Sequence, residues 1–153
     1  MHLRFIWVGK TKNEHMRALI DEYLKRLVRF VRCEISEVGA VKARDTGAGI
    51  EEEGRRIKGA LHQDALTVLL DVKGQEWSST DLAEELARWQ VNGTKEVAFI
   101  IGGQDGVSTE VASSAKVRWS LSRLTLTHEM ARVLLLEQIY RAYTIIHGWP
   151  YQK

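Results

Sequence analysis

Apolar runs of strand length alternate along this chain with segments of helical periodicity. The apolar runs predict five strands, at residues 3–9, 33–38, 65–72, 97–101 and 121–126. Helical spacing and polar caps predict five helices, at residues 16–31, 50–61, 78–90, 108–116 and 129–146. The polar segment 39–49, which contains three glycines, is predicted to be a mobile loop. Alternating helices and fully apolar strands predict an α/β fold with a mostly parallel sheet and helices on both faces.

The composition is that of an ordinary globular domain. The chain has 153 residues, of which 44% are hydrophobic and 27% are charged, which fits one domain over residues 1–153. No apolar run approaches the roughly 20 residues of a membrane span, and the first residues lack the apolar stretch of a signal peptide. The one cysteine, Cys33, excludes an internal disulfide and fits a reducing compartment. We therefore expect a cytoplasmic protein that does not enter a membrane.

Positive charge is concentrated near the N-terminus. The formal net charge is only +2, yet residues 1–32 contain eight Lys and Arg against three Asp and Glu, a local excess of five. A basic face of this kind can bind the phosphates of nucleic acid. An ordinary solvated helix face has the same composition, so charge alone leaves both alternatives open.

Loops rich in glycine and serine follow the buried elements of the last third of the chain. The apolar run 97–101 leads directly into Gly102-Gly103-Gln104-Asp105-Gly106. Further on come Trp119-Ser120-Leu121-Ser122-Arg123-Leu124-Thr125-Leu126-Thr127-His128. Open α/β sheets bind ligands at the carboxyl ends of their strands, so these loops are the predicted site. A tight turn would explain the glycine pair equally well.

Signatures of other common sites are absent or incomplete in the sequence. Gly9-Lys10-Thr11 is similar to the end of a P-loop, but Arg4 stands where that loop requires glycine. No Gly-x-Gly-x-x-Gly follows the first strand, and no Gly-x-Ser-x-Gly elbow occurs. The five histidines show no metal-ligand spacing. We therefore expect neither a metal site nor a standard dinucleotide site.

The last predicted helix is apolar around most of its circumference. Its apolar positions are Met130, Ala131, Val133, Leu134, Leu135, Leu136, Ile139, Ala142, Tyr143, Ile145 and Ile146. A helix of this kind must be buried on several sides, and a subunit interface is one way to bury it. We therefore expect a homodimer built on this helix. Glu137 and Arg141 are spaced to form an i, i+4 ion pair on it.

Taken in order, these motifs resemble the RlmH-type members of the SPOUT methyltransferases. The matching motifs are Ile100-Ile101-Gly102-Gly103-x-x-Gly106, Trp119-Ser120-Leu121-Ser122, Leu124-Thr125-x-x-His128, Arg132, Leu136-Glu137-Gln138-x-Tyr140-Arg141-Ala142 and Gly148-x-Pro150-Tyr151. Chain length and the order of strands and helices match as well, so the resemblance spans essentially all 153 residues. The chain departs from the family pattern at Gln104, Thr127 and Gln152.

The resemblance implies both a fold and a reaction. The implied fold is of the SPOUT type, with a C-terminal trefoil knot, a topology that is nearly absent from other proteins. The implied enzyme is a homodimer that transfers a methyl group from S-adenosyl-L-methionine to N3 of a pseudouridine. The implied substrate is a stem-loop of 23S ribosomal RNA, the large-subunit RNA, within the assembled ribosome. The cofactor residues carry over onto Leu70, Gly103, Ser122, Arg123, Leu124, Thr125, Leu126 and Thr127.

Methyl transfer to N3 requires a group that accepts the N3 proton. His128, Glu137 and Tyr151 are the candidates for this base, and Arg141 is a candidate partner for a phosphate or a developing anion. A helix cap, an intrahelical pair and a packed aromatic ring explain the same residues without catalysis. Two other functions also remain open. They are a nucleotide-binding α/β module without catalysis and a ribosome-associated structural protein.

Overall fold

The computed structural model describes residues 1–151, and Gln152 and Lys153 lie outside the described residues. Five strands and five helices alternate along this part of the chain. They are β1 (His2–Val8), α1 (Glu14–Leu27), β2 (Arg32–Val38), α2 (Thr46–Ala60), β3 (Leu66–Glu76), α3 (Ser79–Val91), β4 (Glu96–Ile101), α4 (Thr109–Ser114), β5 (Val117–Ser120) and α5 (His128–Ile146). None of the helices in these residues is long and apolar enough to cross a membrane.

The strands form one sheet in the order β2-β1-β4-β3-β5, and all neighbouring strands are parallel. Helices α1, α3 and α5 pack on one face, and α2 and α4 pack on the other. The predicted α/β fold with a parallel sheet and helices on both faces is therefore confirmed. The trefoil knot stays a prediction.

Alternate residues of β1 point into the two layers of the core. Phe5 and Trp7 pack with α1, α3 and α5, whereas Ile6 and Val8 pack with Ile57 of α2. All four β1 side chains are at most 5% exposed. A strand buried on both faces needs apolar residues at every position, which explains the continuous apolar run in the sequence.

Helix α2 begins earlier than the sequence predicts. The segment 39–49 was expected to be a loop, but α2 starts at Thr46 because the Asp45 side chain caps it. Asp45 Oδ1 accepts a hydrogen bond from the N–H of Gly47 at 2.9 Å. The glycines suggested a loop, whereas the cap decides where the helix starts.

The predicted strand over residues 121–126 is wrong. The last strand, β5, ends at Ser120, and the following residues leave the sheet. Ser120 Oγ donates to the Ser122 carbonyl at 2.9 Å, and Ser122 Oγ accepts from the Leu124 N–H at 2.9 Å. These local hydrogen bonds take the place of a strand ladder. The alternation of Ser and Leu imitated a strand pattern in a segment that is a loop.

Helix α5 is covered mostly by its own chain. Leu135, Leu136, Ile139 and Ala142 are fully buried against the sheet and against α1 and α3. Only parts of its surface, such as Met130 at 39% exposure, remain open. The apolar circumference therefore does not by itself require a second subunit, and the homodimer stays a prediction.

Candidate functional site

A cleft of about 770 Å³ opens at the carboxyl end of β4 and beside the middle of β3. Its walls come from residues 69–72 of β3, from the glycine loop after β4, and from residues 121–122 and 124–128 with Ala131 of α5. Its size is that of an ordinary small-molecule site. It also lies where open α/β sheets hold their ligands.

The predicted cofactor residues converge on this cleft from three separate segments. Those that line it are Leu70, Gly103, Ser122, Leu124, Thr125, Leu126 and Thr127. Arg123 does not line it, because its side chain is 84% exposed and lies 3.8 Å from the Glu76 carboxylate. Leu124 is 75% exposed although it is apolar, and a ligand in the cleft would cover it. That these residues bind a cofactor stays a prediction.

The glycine loop forms a tight turn and also lines the cleft. The N–H of Gly106 donates to the Gly103 carbonyl at 3.1 Å, and Gly106 has a φ of +92°. A Cβ on Gly102 would lie 2.6 Å from Cγ1 of Val107, so the turn leaves no room for one. A Cβ on Gly103 would lie 3.0 Å from the Glu53 carboxylate. The tight turn is therefore present, and the same glycine pair also lines the cleft; a ligand-binding role for it stays a prediction.

The first turn of α5 closes one side of the cleft. Thr127 caps the helix, and its hydroxyl accepts from the N–H of Met130 at 3.3 Å. His128, the first residue of the helix, lines the cleft and is half-buried. An imidazole at this place could accept a proton from a molecule in the cleft.

The other catalytic candidates form a separate cluster farther along α5. Glu137 Oε1 accepts hydrogen bonds from Nε of Arg141 at 3.0 Å and from the Tyr151 hydroxyl at 3.1 Å. Its Oε2 accepts from the Gln138 amide at 2.8 Å. The guanidinium of Arg141 also lies 4.8 Å from the centre of the Tyr151 ring. The predicted Glu137–Arg141 pair is therefore present, and the tail residue Tyr151 joins it.

Two groups of this cluster, Tyr151 and Arg141, have raised pKa values. Burial, together with hydrogen bonds to Tyr23 and Glu137, raises the pKa of Tyr151. The hydrogen bond to Glu137 raises the pKa of Arg141. Tyr151 therefore stays protonated near neutral pH and acts as a donor, which disfavours it as the base. The Glu137 carboxylate accepts hydrogen bonds from three side chains, those of Arg141, Gln138 and Tyr151.

One chain does not bring all four catalytic candidates together. His128 lies at the start of α5 and Glu137 lies nine residues later, about 13 Å along the axis at about 1.5 Å per residue. The cleft and the Glu137–Arg141–Tyr151 cluster are therefore two distinct places on the same helix.

The basic N-terminal segment does not form one patch. Arg4 is only 7% exposed and pairs with Glu96 inside the fold. Lys10 and Lys12 follow the carboxyl end of β1, at the same edge of the sheet as the cleft. Arg29 lies beyond the far end of α1, a helix of 14 residues and so about 21 Å long. Only part of the predicted basic face therefore lies near the cleft.

Sequence reasoning missed Asp71 and Val72, which line the cleft from β3. Asp71 Oδ1 accepts from the N–H of Lys73 at 2.9 Å, and Oδ2 accepts from Nε of Arg118 at 3.0 Å. The Lys73 N–H and the Arg118 guanidinium outweigh partial burial and lower the pKa of Asp71, so its carboxylate stays charged. Gly74 is the sequence feature that could have pointed to this part of β3, because a glycine inside a strand often marks a bulge.

No three His, Cys, Asp or Glu side chains within residues 1–151 are arranged to hold a metal ion. The candidate site is thus a cleft walled by apolar and hydroxyl side chains together with Asp71 and His128, and a separate ionic cluster lies farther along α5.

Comparison with known proteins gives this site a context. A family model described as "Predicted SPOUT methyltransferase" matches residues 1–152. A protein of Geotalea daltonii named ribosomal RNA large subunit methyltransferase H is 44% identical, over 99% of this chain and 99% of its own. A protein of the same name from Heliobacterium modesticaldum is 39% identical, and the match covers 100% of this chain and 99% of that protein. Among solved structures, a probable methylase family protein from Haemophilus influenzae Rd KW20 shares the fold, with a TM-score of 0.55 at 13% sequence identity. The match covers 99% of this chain and 70% of that chain.

Proposed function

Since this chain belongs to the SPOUT methyltransferase family, we propose that it methylates N3 of a pseudouridine in 23S ribosomal RNA, with S-adenosyl-L-methionine as the donor. The names of its relatives support large-subunit ribosomal RNA as the substrate. The observation in the structure that supports it most is the convergence of three separate segments on one cleft. A ribosomal substrate would place the protein in the cytoplasm.

The cleft suits S-adenosyl-L-methionine in size and chemistry. Its volume of about 770 Å³ exceeds what one nucleoside with an amino-acid arm needs and lies in the usual range for ligand sites. Leu70, Leu121 and Leu126 offer apolar walls for the adenine ring, and the backbone of residues 121–127 offers polar groups at its edge. Gly103 leaves the wall free of a side chain, so a ligand can approach the backbone there.

The chain's residues have mainly to position the reactants. When bound, the cofactor supplies a methyl group that is already activated on a sulfonium centre. With a ligand bound, Leu124 and Leu126 would help to exclude water, and the cleft walls would orient the acceptor. Positioning of this kind lowers the barrier by more than any single acid or base does. Of the three candidate bases, His128 alone lies at the cleft within the described residues, so it would take the N3 proton. Such a base typically contributes about 10²–10⁴-fold.

A homodimer is part of the proposal. It would let the Glu137–Arg141–Tyr151 cluster of one protomer serve the cleft of its partner, which the spacing along α5 prevents within one chain. Exposed apolar side chains on α1 and α5, among them Leu19 and Ile146, are available for the contact. Sedimentation at low micromolar concentration should give about twice the chain mass of 17.4 kDa, and a stable monomer would contradict the dimer.

Methyl transfer to ribosomes tests the function directly. Purified protein, S-adenosyl-L-methionine and unmethylated ribosomes are incubated, and the RNA nucleosides are analysed by mass spectrometry. We expect 3-methylpseudouridine from assembled ribosomes and little from naked RNA, because the cleft reads one exposed base and the surrounding shape selects it. Cofactor binding without methyl transfer would favour the nucleotide-binding module. Ribosome binding without cofactor binding would favour the structural protein.

A further inference from the structure

A second groove, of about 470 Å³, lies at the edge of the sheet between the outer half of β3, β5 and α3. Its walls carry one acidic side chain, Glu85, and four basic ones. The basic side chains are Lys73, Arg88, Lys116 and Arg118. Since the whole chain has a net charge of only +2, this groove is a local concentration of positive charge.

Two of the four cations have acidic partners and two are available. Arg88 pairs with a glutamate on its own helix, and Arg118 pairs with Asp71. Lys73 and Lys116 are exposed, and neither forms an ion pair with another described residue. Two exposed lysines without an ion-pair partner among the described residues therefore lie at the groove, where they can bind an anion.

A bulge in β3 sets the position of Lys73. The pairing of β3 with β5 shifts its register in this stretch. The N–H of Lys73 is held by Asp71 at 2.9 Å. A Cβ on Gly74 would lie 2.6 Å from the backbone of Arg118, so the bulge presses on β5 where only glycine fits. Bulges of this kind are common beside active sites, where they redirect side chains.

The same bulge joins the groove to the cleft. Asp71 and Val72 line the cleft, and the next two residues, Lys73 and Gly74, line the groove. Consecutive Cα atoms are about 3.8 Å apart, so the two cavities share a narrow wall. A nucleic-acid strand with one base in the cleft can therefore reach this groove with its neighbouring nucleotides.

We propose that this groove binds the phosphate backbone of the RNA strand that flanks the target nucleotide. The proposal rests on the proposed function, because it takes RNA as the substrate. Lysine and arginine hold phosphates without reading the sequence, so the groove sets the register while the cleft selects the base. Trp77 also lines the groove and stacks on Trp119 with ring centres 5.4 Å apart. Aromatic rings beside cations are typical of sites for single-stranded nucleic acid and favour RNA over an acidic protein.

The test compares charge reversals inside and outside the groove. Lys116→Glu and the double variant Lys73→Glu/Lys116→Glu change the groove. The control for the single variant is Lys95→Glu, which changes an exposed lysine outside the groove, just before β4 and two strands away from β5. Binding of each protein to naked 23S RNA and to ribosomes is measured over a range of salt concentrations. We expect the double variant to bind at least about 10-fold more weakly. Its slope of log affinity against log salt should fall by about 1.4–1.8, the loss of two phosphate contacts.

Further measurements separate the groove from the cleft. The affinity for S-adenosyl-L-methionine, measured by calorimetry, should be unchanged in all variants, which also shows that they are folded. Equal RNA affinities and salt slopes for Lys116→Glu and Lys95→Glu would overturn the proposal. So would weaker binding to ribosomes with unchanged binding to naked RNA, which would indicate an acidic protein partner. If the wild type transferred no methyl group but its RNA binding still depended on the groove, the proposed function would fail and the groove would stand.

Discussion

The two ends of the parallel sheet use their polar groups in opposite ways. At the amino end, Nε of Arg4 lies 3.2 Å from Glu96 Oε1, and Nδ1 of His62 lies 3.0 Å from Glu96 Oε2. Glu34 also accepts from Arg4 at 3.0 Å, and His2 lies 3.3 Å from Glu96. At the carboxyl end, the polar groups around the cleft are mostly hydroxyl and backbone groups.

A cluster of ionisable side chains is therefore not by itself a binding site. In the amino-end network (Arg4, Glu34, Glu96, His2 and His62), the charged groups bind one another, and Arg4 and Glu96 are only 7% and 8% exposed. Removing two charges from water is costly, and the contacts within the network offset that cost. The carboxyl end has fewer such contacts, because the strands stop there and the loops diverge. Under the proposed function, the polar groups at the carboxyl end are therefore available to a ligand.

The largest expected effect is a loss of stability at the amino end. Glu96→Gln leaves Arg4 buried with only Glu34 as an acidic partner, and we expect the free energy of unfolding to fall by about 3 kcal/mol. Urea denaturation at pH 7 measures the loss. The affinity of the folded variant for S-adenosyl-L-methionine should not change. Glu110→Gln is the control, because it breaks only the exposed pair with Lys58 and should cost less than about 1 kcal/mol. Equal losses in the two variants would remove the contrast between the ends.

Removal of the tail should affect the rate and little else. Deleting residues 149–153 takes away Tyr151, whose ring packs 4.8 Å from that of Tyr140 and whose hydroxyl donates to Glu137. We expect methyl transfer to fall by at least about 10²-fold, about 2.7 kcal/mol, because the acceptor is no longer positioned. Tyr151→Ala should reproduce most of the loss and Gln152→Ala little, since an amide is not a base near neutral pH. If the truncated protein methylates ribosomes at the full rate, the tail contributes only to packing.

Substitution in the glycine loop should lower cofactor affinity. A Cβ at Gly103 would lie 3.0 Å from the Glu53 carboxylate, so Gly103→Val must displace the loop that lines the cleft, and we expect the affinity for S-adenosyl-L-methionine to fall at least about 10-fold, about 1.4 kcal/mol. Calorimetry measures the change, and circular dichroism shows that the variant is folded. Gly59→Val adds the same side chain to α2, where a Cβ meets nothing within 4 Å, and should leave the affinity unchanged. If both variants bind the cofactor as the wild type does, Gly103 is only a turn residue.

Features encoded by neighbouring residues could be predicted from the sequence. The apolar runs predicted β1 to β4 but missed β5, and the alternation of strands with helices predicted the parallel sheet. The helix predicted at residues 78–90 is also present, and Ser78 and Asp81 cap it with hydrogen bonds of 2.7 Å and 3.0 Å. The glycine loop was placed at the carboxyl edge for the same reason, since it directly follows an apolar strand.

Features that join distant residues could not be predicted in this way. Arg4 and Glu96 are 92 residues apart, and no local pattern links them. Arg132 is fully buried and donates to the Val8 carbonyl at 2.6 Å and to Thr11 at 2.9 Å, across more than 120 residues. The same limit explains why His128 and Glu137 could not be assigned to different places. Spacing along a helix is readable from the sequence, but the position of the cleft depends on the whole sheet.

The smallest expected effect is the dependence of the amino-end contribution on pH. Burial alone would raise the pKa of Glu96, but hydrogen bonding and charge from Arg4, with His62 and His2 nearby, outweigh it and lower the pKa. The contribution is therefore complete above the unfolded pKa of about 4.3 and is lost as the pH falls through the lower folded pKa. Urea denaturation of the wild type and of Glu96→Gln between pH 5 and pH 3 should show the gap in stability narrowing, by at most about 1.4 kcal/mol per pH unit. Both proteins contain Glu34, so the difference between them isolates Glu96. A gap that stays constant or widens towards pH 3 would mean that the Glu96 charge does not stabilise the fold.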